Sequence, residues 1–201
     1  MSSAPGPRVL RDKGGFLSPV VSVVEHEGRP AVLKDYRSKN PVTRNVLAPL
    51  LVRREFGVLR HLEGIPGIPR AYAVVEKRAL LLEFVDGKTL GKFKAGELPD
   101  AVFDRLCETV RAMHRRGVVH LDLRQKKNIV VAGGRPYLVD FANALRGRAT
   151  AALRAVDESA LLKWKQRNFP HLVTGADRAA LADHKLLRRF WIFTPRGKSV
   201  R

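Results

Sequence analysis

The sequence predicts an α+β fold with two lobes, in which a β-rich part precedes a mainly helical part. Short Val- and Leu-rich segments punctuated by turns fill residues 9–85, whereas helical patterns prevail in residues 86–201. A hydrophobic fraction of 45% with a charged fraction of 28% is typical of a chain that buries a core. A length of 201 residues suits one domain, or two small lobes that share a cleft.

The first lobe is predicted to contain two hairpins and one helix. Residues 1–8 are rich in Ser, Pro and Gly and are expected to be disordered. Residues 20–36 and residues 71–85 each predict two strands joined by a short turn. Residues 43–62 have apolar side chains spaced near 3.6 residues, which predicts a helix that Pro49 starts, breaks or kinks.

The second lobe is predicted to begin with a helix over residues 100–117 that ends at a glycine. Residues 128–132 and 135–141 then predict two strands around a Gly-Gly turn. The rest of the chain is mostly helical in pattern and basic. Its "RRFWIF" stretch predicts a helix packed on the lobe or, alternatively, an interfacial anchor with Trp191 and Phe193 in lipid.

The net charge of +19 indicates an anionic partner, but it does not choose among nucleic acid, phosphorylated glycan, acidic lipid and nucleotide. Cys107 is the single cysteine, which excludes an intrachain disulfide and a cysteine-based zinc site. No segment approaches the ~20 apolar residues of a membrane span, and none suits a signal peptide. We therefore expect a cytoplasmic protein, with peripheral contact to the inner membrane face as a further expectation.

The stretch "GVVHLDLRQKKNIVVAGGRPYLVDF" places Asp122, Asn128 and Asp140 beside short apolar strands. Mg²⁺ prefers hard oxygen ligands, which this carboxylate and amide set supplies and a His/Cys set would not. Phosphoryl transfer also requires a cation on the nucleotide phosphates and a carboxylate that orients the attacking hydroxyl. The residue types therefore fit a site for metal and phosphate.

With these motifs the chain resembles the protein-kinase-like fold from about residue 14 to residue 144. "AVLKDY" is similar to the third kinase strand, and the resemblance makes Lys34 the phosphate-binding lysine. "RREFGVLRHL" resembles the helix whose glutamate pairs with that lysine, which nominates Glu55. "LLLEFVDGKTL" resembles the hinge, where backbone groups of Glu83 and Val85 would bind adenine.

The remaining roles come from the catalytic-loop and DFG-like motifs. "VVHLDLRQKKNIVV" resembles the kinase catalytic loop, which implies Asp122 as the base and Asn128 as a metal ligand. "YLVDFAN" resembles the DFG segment and gives Asp140 the second metal-ligand role. Arg124 stands where many kinases carry a lysine that neutralises the transferring phosphoryl group.

The pattern departs from a regulated protein kinase. Gly14 and Gly15 adjoin without the G-x-G-x-x-G spacing, Leu121 replaces the usual arginine, and Asn128 follows Asp122 one position late. No Ala-Pro-Glu motif follows Asp140. The compact outline is instead similar to the bacterial RIO-like kinases and the lipopolysaccharide-core sugar kinases.

The resemblance implies a phosphotransferase that uses ATP and Mg²⁺. Its expected acceptor is a hydroxyl on an anionic lipopolysaccharide-type glycan or on a protein Ser/Thr. A rival hypothesis is a pseudokinase that serves as a nucleotide-binding adaptor. A third is a nucleic-acid binder, which the charge favours and the absence of a base-stacking motif opposes.

Overall fold

Five antiparallel strands form one sheet at the amino-terminal side of the molecule. The computed structural model describes residues 8–11, 15 and 18–180. The sheet order is β1-β2-β3-β5-β4. The strands are β1 (Arg8–Arg11), β2 (Val20–His26), β3 (Arg29–Asp35), β4 (Ala71–Val75) and β5 (Ala79–Glu83).

Both predicted hairpins are confirmed. β2 and β3 join through Glu27 and Gly28, which both have positive φ, as a tight hairpin turn requires. β4 and β5 join through Glu76 and Lys77, which adopt positive φ without a glycine. β1 was not predicted, and Arg8 belongs to this strand instead of to a disordered terminus. The other residues of that predicted segment, and the "RRFWIF" stretch, lie outside the described residues.

The predicted helix over residues 43–62 is confirmed as part of one helical run that begins at Pro41 and contains a π-helical turn before Pro49. A π-helical turn, Thr43–Leu47, precedes helix α1, Ala48–His61. Pro49 therefore stands in the first turn of α1, where its missing N–H leaves no hydrogen bond unmade. The Ala48 N–H closes the wide turn on the Thr43 carbonyl, so Pro49 neither starts nor breaks the helical run but follows a π-helical turn within it.

The carboxyl-terminal part holds two longer helices and two small antiparallel sheets. Helix α2 (Asp100–Arg115) is followed by Gly117 with φ of +68°, as predicted for its end. Its sheets contain β6 (Lys88–Thr89), β7 (Val118–Val119), β8 (Ile129–Ala132), β9 (Arg135–Leu138) and β10 (Leu145–Arg146). β6, β8 and β9 pair in that order, and β7 pairs with β10. Helix α3 spans Arg154–Asn168.

One apolar core joins the two parts. Val52, Val58 and Leu59 of α1 belong to the same buried cluster as Leu106 and Met113 of α2. None of the helices among the described residues is long and apolar enough to cross a membrane. The boundary between lobes near residue 85 remains a prediction.

The loop between α1 and β4 packs tightly against the second part of the molecule. Gly67 has φ of +87°, and its carbonyl accepts the Leu138 N–H at 2.8 Å. A Cβ at this position would lie 2.6 Å from the Pro136 carbonyl oxygen and 2.9 Å from Thr109 Oγ1. Gly64 has a similar φ of +85°, but a Cβ there would meet nothing within 4 Å.

Alanine at these two glycines separates backbone strain from steric clash. Both variants force an alanine into the left-handed backbone region, so the backbone strain is similar in the two. Only Gly67→Ala adds a steric clash, with the Pro136 carbonyl and Thr109. We expect Gly67→Ala to lower the free energy of unfolding by about 1–3 kcal/mol more than Gly64→Ala does. Urea unfolding followed by circular dichroism measures both, and equal losses would contradict the close packing.

Candidate active site

A buried lysine connects three segments that are distant in the sequence. Lys34 on β3 lies with its Nζ 2.6 Å from Glu55 Oε1 on α1 and 2.8 Å from Asp140 Oδ1 after β9. The Lys34 and Glu55 side chains are only 8% and 4% exposed. Burial by itself opposes the Lys34 charge, but the two carboxylates together outweigh it and raise the pKa of the ammonium group. The lysine is therefore held fully protonated.

The segment that contains Asp140 is fixed to α1 at two further points. Asp140 has a left-handed backbone, with φ of 67°. Glu55 Oε1 accepts the N–H of the next residue, Phe141, at 3.1 Å. Arg54 Nη2 donates to the Ala144 carbonyl at 2.7 Å. Two adjacent side chains of α1 therefore hold the chain on both sides of this turn.

The loop between β7 and β8 places Asn128 in hydrogen-bond contact with Asp122. Asn128 Nδ2 donates to the Asp122 carbonyl and to Asp122 Oδ2, both at 2.9 Å. The extra residue between them is taken up by two turns, closed by the N–H groups of Gln125 and Asn128. Asp122 is half-buried, and burial raises the pKa of its carboxyl group. The negative charge of Asp140 raises the same pKa further, so the two carboxylates are close enough to interact.

The oxygen atoms of this site suit a hard cation. Asn128 is fully buried, and its Oδ1 accepts no hydrogen bond within the described residues. A buried amide oxygen that accepts no hydrogen bond destabilises the folded state unless a cation or a further donor contacts it. Among the described residues no group of three or more His, Cys, Asp or Glu side chains is placed to hold a metal. Asn128 and Asp140 thus fit Mg²⁺ as a small protein ligand set, which substrate phosphates and water would complete.

His120 supports the loop from behind. It is fully buried, which lowers the pKa of its ring, so the neutral form is favoured. Its Nε2 lies 3.2 Å from the Val139 carbonyl, and its Nδ1 accepts the Asp122 N–H at 3.4 Å. Its ring also contacts Phe141, with centroids 4.7 Å apart. This arrangement links the Asp122 loop to the Asp140 segment.

Asp157 on α3 is a site residue that the sequence analysis missed. It is completely buried, and it accepts the backbone N–H groups of His120 at 2.8 Å and Leu121 at 2.9 Å. His114 Nε2 lies 3.0 Å from the same carboxylate. Leu121 has φ of +66°, a costly conformation for a bulky side chain, and the bond to Asp157 stabilises it.

A signal for Asp157 was present in the sequence. It precedes Ala160 and Trp164 by three and seven residues, so it shares the apolar face of α3. A carboxylate on a buried helix face requires donors, and backbone N–H groups of a loop can supply them.

Arg124 and its neighbours join the same loop to α3. Arg124 Nη1 donates to Ser159 Oγ at 3.1 Å, and its carbonyl accepts from Lys163 Nζ at 2.8 Å. Trp164 Nε1 donates to the Leu123 carbonyl at 2.7 Å. Lys127 Nζ lies 3.4 Å from Asp140 Oδ2. The role of Arg124 toward a phosphoryl group remains a prediction.

The predicted adenine-binding groups follow β5. The Glu83 N–H donates to the Arg70 carbonyl at 2.9 Å, so this N–H is committed to the strand pairing. The Val85 N–H makes no hydrogen bond within the described part of the chain. The glycine loop is described only in part: the Ser18 N–H donates to the Gly15 carbonyl at 2.9 Å, and Gly14 lies outside the described residues.

Comparison with known proteins identifies relatives of this arrangement. Residues 26–158, more than half of the chain, match the family model of the RIO domain. The chain is 30% identical over 104 residues to the serine/threonine-protein kinase PEPKR2 of Arabidopsis thaliana, covering 47% of this chain and 22% of that protein. It is also 30% identical over 111 residues to the serine/threonine-protein kinase RIO2 of Caenorhabditis elegans, covering 54% of this chain and 21% of the relative.

Solved structures show the same fold at low identity. The Rio2 kinase of Chaetomium thermophilum superposes with a TM-score of 0.63 at 18% identity, over 87% of this chain and 62% of that one. Its ADP/Mg²⁺-phosphoaspartate complex gives a TM-score of 0.60 at 20% identity, over 87% and 61%. The chain thus spans about a fifth of the curated relatives and less than two thirds of the solved chains.

Asn at position 157 tests the support of the Asp122 loop. An amide cannot accept at both atoms, so at least one buried N–H of the loop loses its acceptor. We expect Asp157→Asn to lower the free energy of unfolding by about 1–3 kcal/mol. Asp104→Asn, an exposed change on α2, is the matched control. Amide hydrogen exchange should accelerate at His120 or Leu121 in the first variant alone, and unchanged exchange at both N–H groups would exclude the anchoring role.

Proposed function

The chain belongs to the RIO domain family, and on this basis we propose that it is a kinase that uses ATP and Mg²⁺ to phosphorylate a hydroxyl group of an anionic acceptor. One observation carries the proposal: Lys34, Glu55 and Asp140 meet in one ion-paired group beside Asp122 and Asn128. The serine/threonine-protein kinases that the chain resembles support the same reaction class.

Lys34 is the proposed contact for the nucleotide phosphates. Its ammonium group carries three N–H donors, and Glu55 and Asp140 engage two of them. Because Glu55 and Asp140 fix the position of the ammonium group, its third N–H is the proposed donor to a phosphate oxygen. The Glu83 carbonyl and the Val85 N–H are the proposed contacts for adenine, since the Glu83 N–H is already used.

Asp122 is the proposed base, and Asn128 and Asp140 are the proposed metal ligands. Bound Mg²⁺·ATP supplies the phosphoryl group and neutralises charge on its oxygens. Asp122 orients the acceptor hydroxyl and takes up its proton, and the Asn128 amide holds this carboxylate in place. Arg124, two residues further on, is proposed to contact the phosphoryl group.

The charge around the Asp122 loop supports an anionic acceptor. Lys126 and Lys127 are exposed on this loop. A Cβ on Gly91 would lie 2.7 Å from Lys126 Cβ, so the lysine stem packs directly against that backbone. Arg167 Nη2 donates to the Gly91 carbonyl at 3.1 Å. These cations come from separate elements and together favour an acidic protein with a Ser/Thr hydroxyl, or a lipopolysaccharide-type glycan, as the acceptor.

Replacing Asp122 by Asn tests the proposed base. We expect phosphoryl transfer to fall by about 10²–10⁴-fold, because the amide cannot take up the hydroxyl proton. Nucleotide affinity, measured by isothermal titration calorimetry, should be largely unchanged. Asp104→Asn is the control for loss of one carboxylate. Equal turnover by Asp122→Asn and the wild type would reject the assignment.

Labelling of a fractionated cell extract tests the acceptor class. The purified chain is incubated with ATP labelled at the γ position and with separate protein and lipid-glycan fractions. Label in the protein fraction, absent with Asp122→Asn, supports the Ser/Thr acceptor, and label in the lipid-glycan fraction supports the glycan. Nucleotide binding without label in either fraction would favour the adaptor hypothesis instead.

A further inference from the structure

Three apolar side chains are exposed on consecutive turns of the helical segment that leads into α1: Val42 precedes the π-helical turn, Val46 lies in it, and Leu50 lies in α1. Val42, Val46 and Leu50 are 58%, 57% and 66% exposed, and they follow one another at intervals of four residues. We call these three residues the α1 stripe. Residues at this interval lie above one another on a helix, so the stripe is one continuous surface.

The α1 stripe is not the core face of the helix. Thr43, Ala48 and Val52 are buried on the other side of the same segment and already form its contact with the sheet and core. A helix with one face in the core normally exposes polar residues on the opposite face. A second apolar face therefore suggests a binding surface.

The charged residues of the segment that carries the α1 stripe are all basic. Residues 36–54 contain no Asp or Glu. Arg37 is already paired with Asp35 and Glu76, and Arg54 donates to the Ala144 carbonyl, so the basic border consists of Lys39, Arg44 and Arg53. Cations at a helix amino terminus are unfavourable with respect to the helix dipole, so this charge pattern does not serve helix stability. An apolar strip with a basic border is complementary to an apolar strip with an acidic border.

We propose that the α1 stripe is a docking site for an acidic segment of another protein. The segment would be helical, with apolar side chains at i, i+3, i+4 and i+7 set against the stripe and carboxylates facing Lys39, Arg44 and Arg53. The site goes beyond the proposed phosphotransfer, since none of its residues contacts the Lys34, Asp122 or Asp140 group. Leu50 of the stripe, however, lies on α1, the helix that carries Glu55.

Other occupants match the stripe less well. Residues 181–201 of this chain contain one carboxylate, Asp183, against six Lys and Arg residues, so their charge is of the wrong sign. A second copy of the stripe would bring two basic borders together. A lipid surface is disfavoured because residues 37–54 contain no aromatic side chain, whereas interfacial helices commonly insert Trp or Phe.

The test uses the whole chain and a synthetic peptide. The probe is a fluorescein-labelled helical peptide of about 18 residues, with Leu at every third or fourth position and Glu at most others. A second peptide has the same composition in an order that breaks the apolar face. The protein variant is Val46→Ser with Leu50→Ser, and the control is Val9→Ser, because Val9 is 56% exposed on β1. Fluorescence anisotropy measures the dissociation constants, and circular dichroism checks that each variant folds.

The proposal predicts that the wild type and Val9→Ser bind the amphipathic peptide equally, and that the double variant binds it about tenfold more weakly. Equal affinity for the reordered peptide would overturn it, because charge alone would then explain binding. No binding of the amphipathic peptide would also overturn it. Stripe-dependent binding to vesicles of phosphatidylglycerol and phosphatidylcholine, or stripe-dependent self-association in sedimentation, without peptide binding would replace the proposed occupant by a membrane or a second copy.

Discussion

The arrangement of the cleft depends on the buried ammonium group of Lys34. A charge removed from water is tolerated only when opposite charges and hydrogen bonds surround it, and removal of one partner of such a pair costs about 3–5 kcal/mol. Glu55 and Asp140 are the partners, and they come from a helix and a turn that are otherwise remote from β3. Lys34 can therefore be buried only when β3, α1 and the segment after β9 are assembled together, because the ammonium group would otherwise leave water without its two carboxylate partners.

The order of the main elements and the ion-paired group follow from local sequence signals. The alternating Val-rich segments, the glycine after α2 and the Gly-Gly turn before β9 each act over a few residues, and the structure has the predicted hairpins and helices there. Lys34, Glu55 and Asp140 were identified because each lies in a recognisable motif beside a strand or helix. Proximity of Asn128 to Asp122 was also expected, although the extra residue between them required two turns that no pattern predicts.

Features that depend on tertiary contacts were not predicted. Asp157 supports the Asp122 loop from 35 or more residues away, and a buried aspartate in a helix does not reveal its acceptor role until α3 is placed. β1 is a short strand whose pairing with β2 is interrupted by an irregularity, so its four residues give little periodic signal. The π-helical turn before Pro49 was missed because a proline inside a helical pattern is compatible with several geometries.

Arg54 and Glu55 are consecutive residues of α1. The hydrogen bonds that they make to other segments therefore depend on the position of the same helix. Glu55 holds the lysine and the Phe141 amide, and Arg54 holds the Ala144 carbonyl. Because both side chains belong to one helix, a displacement of α1 would open all of these bonds together. A ligand that contacts the assembled cleft therefore also stabilises this position of α1.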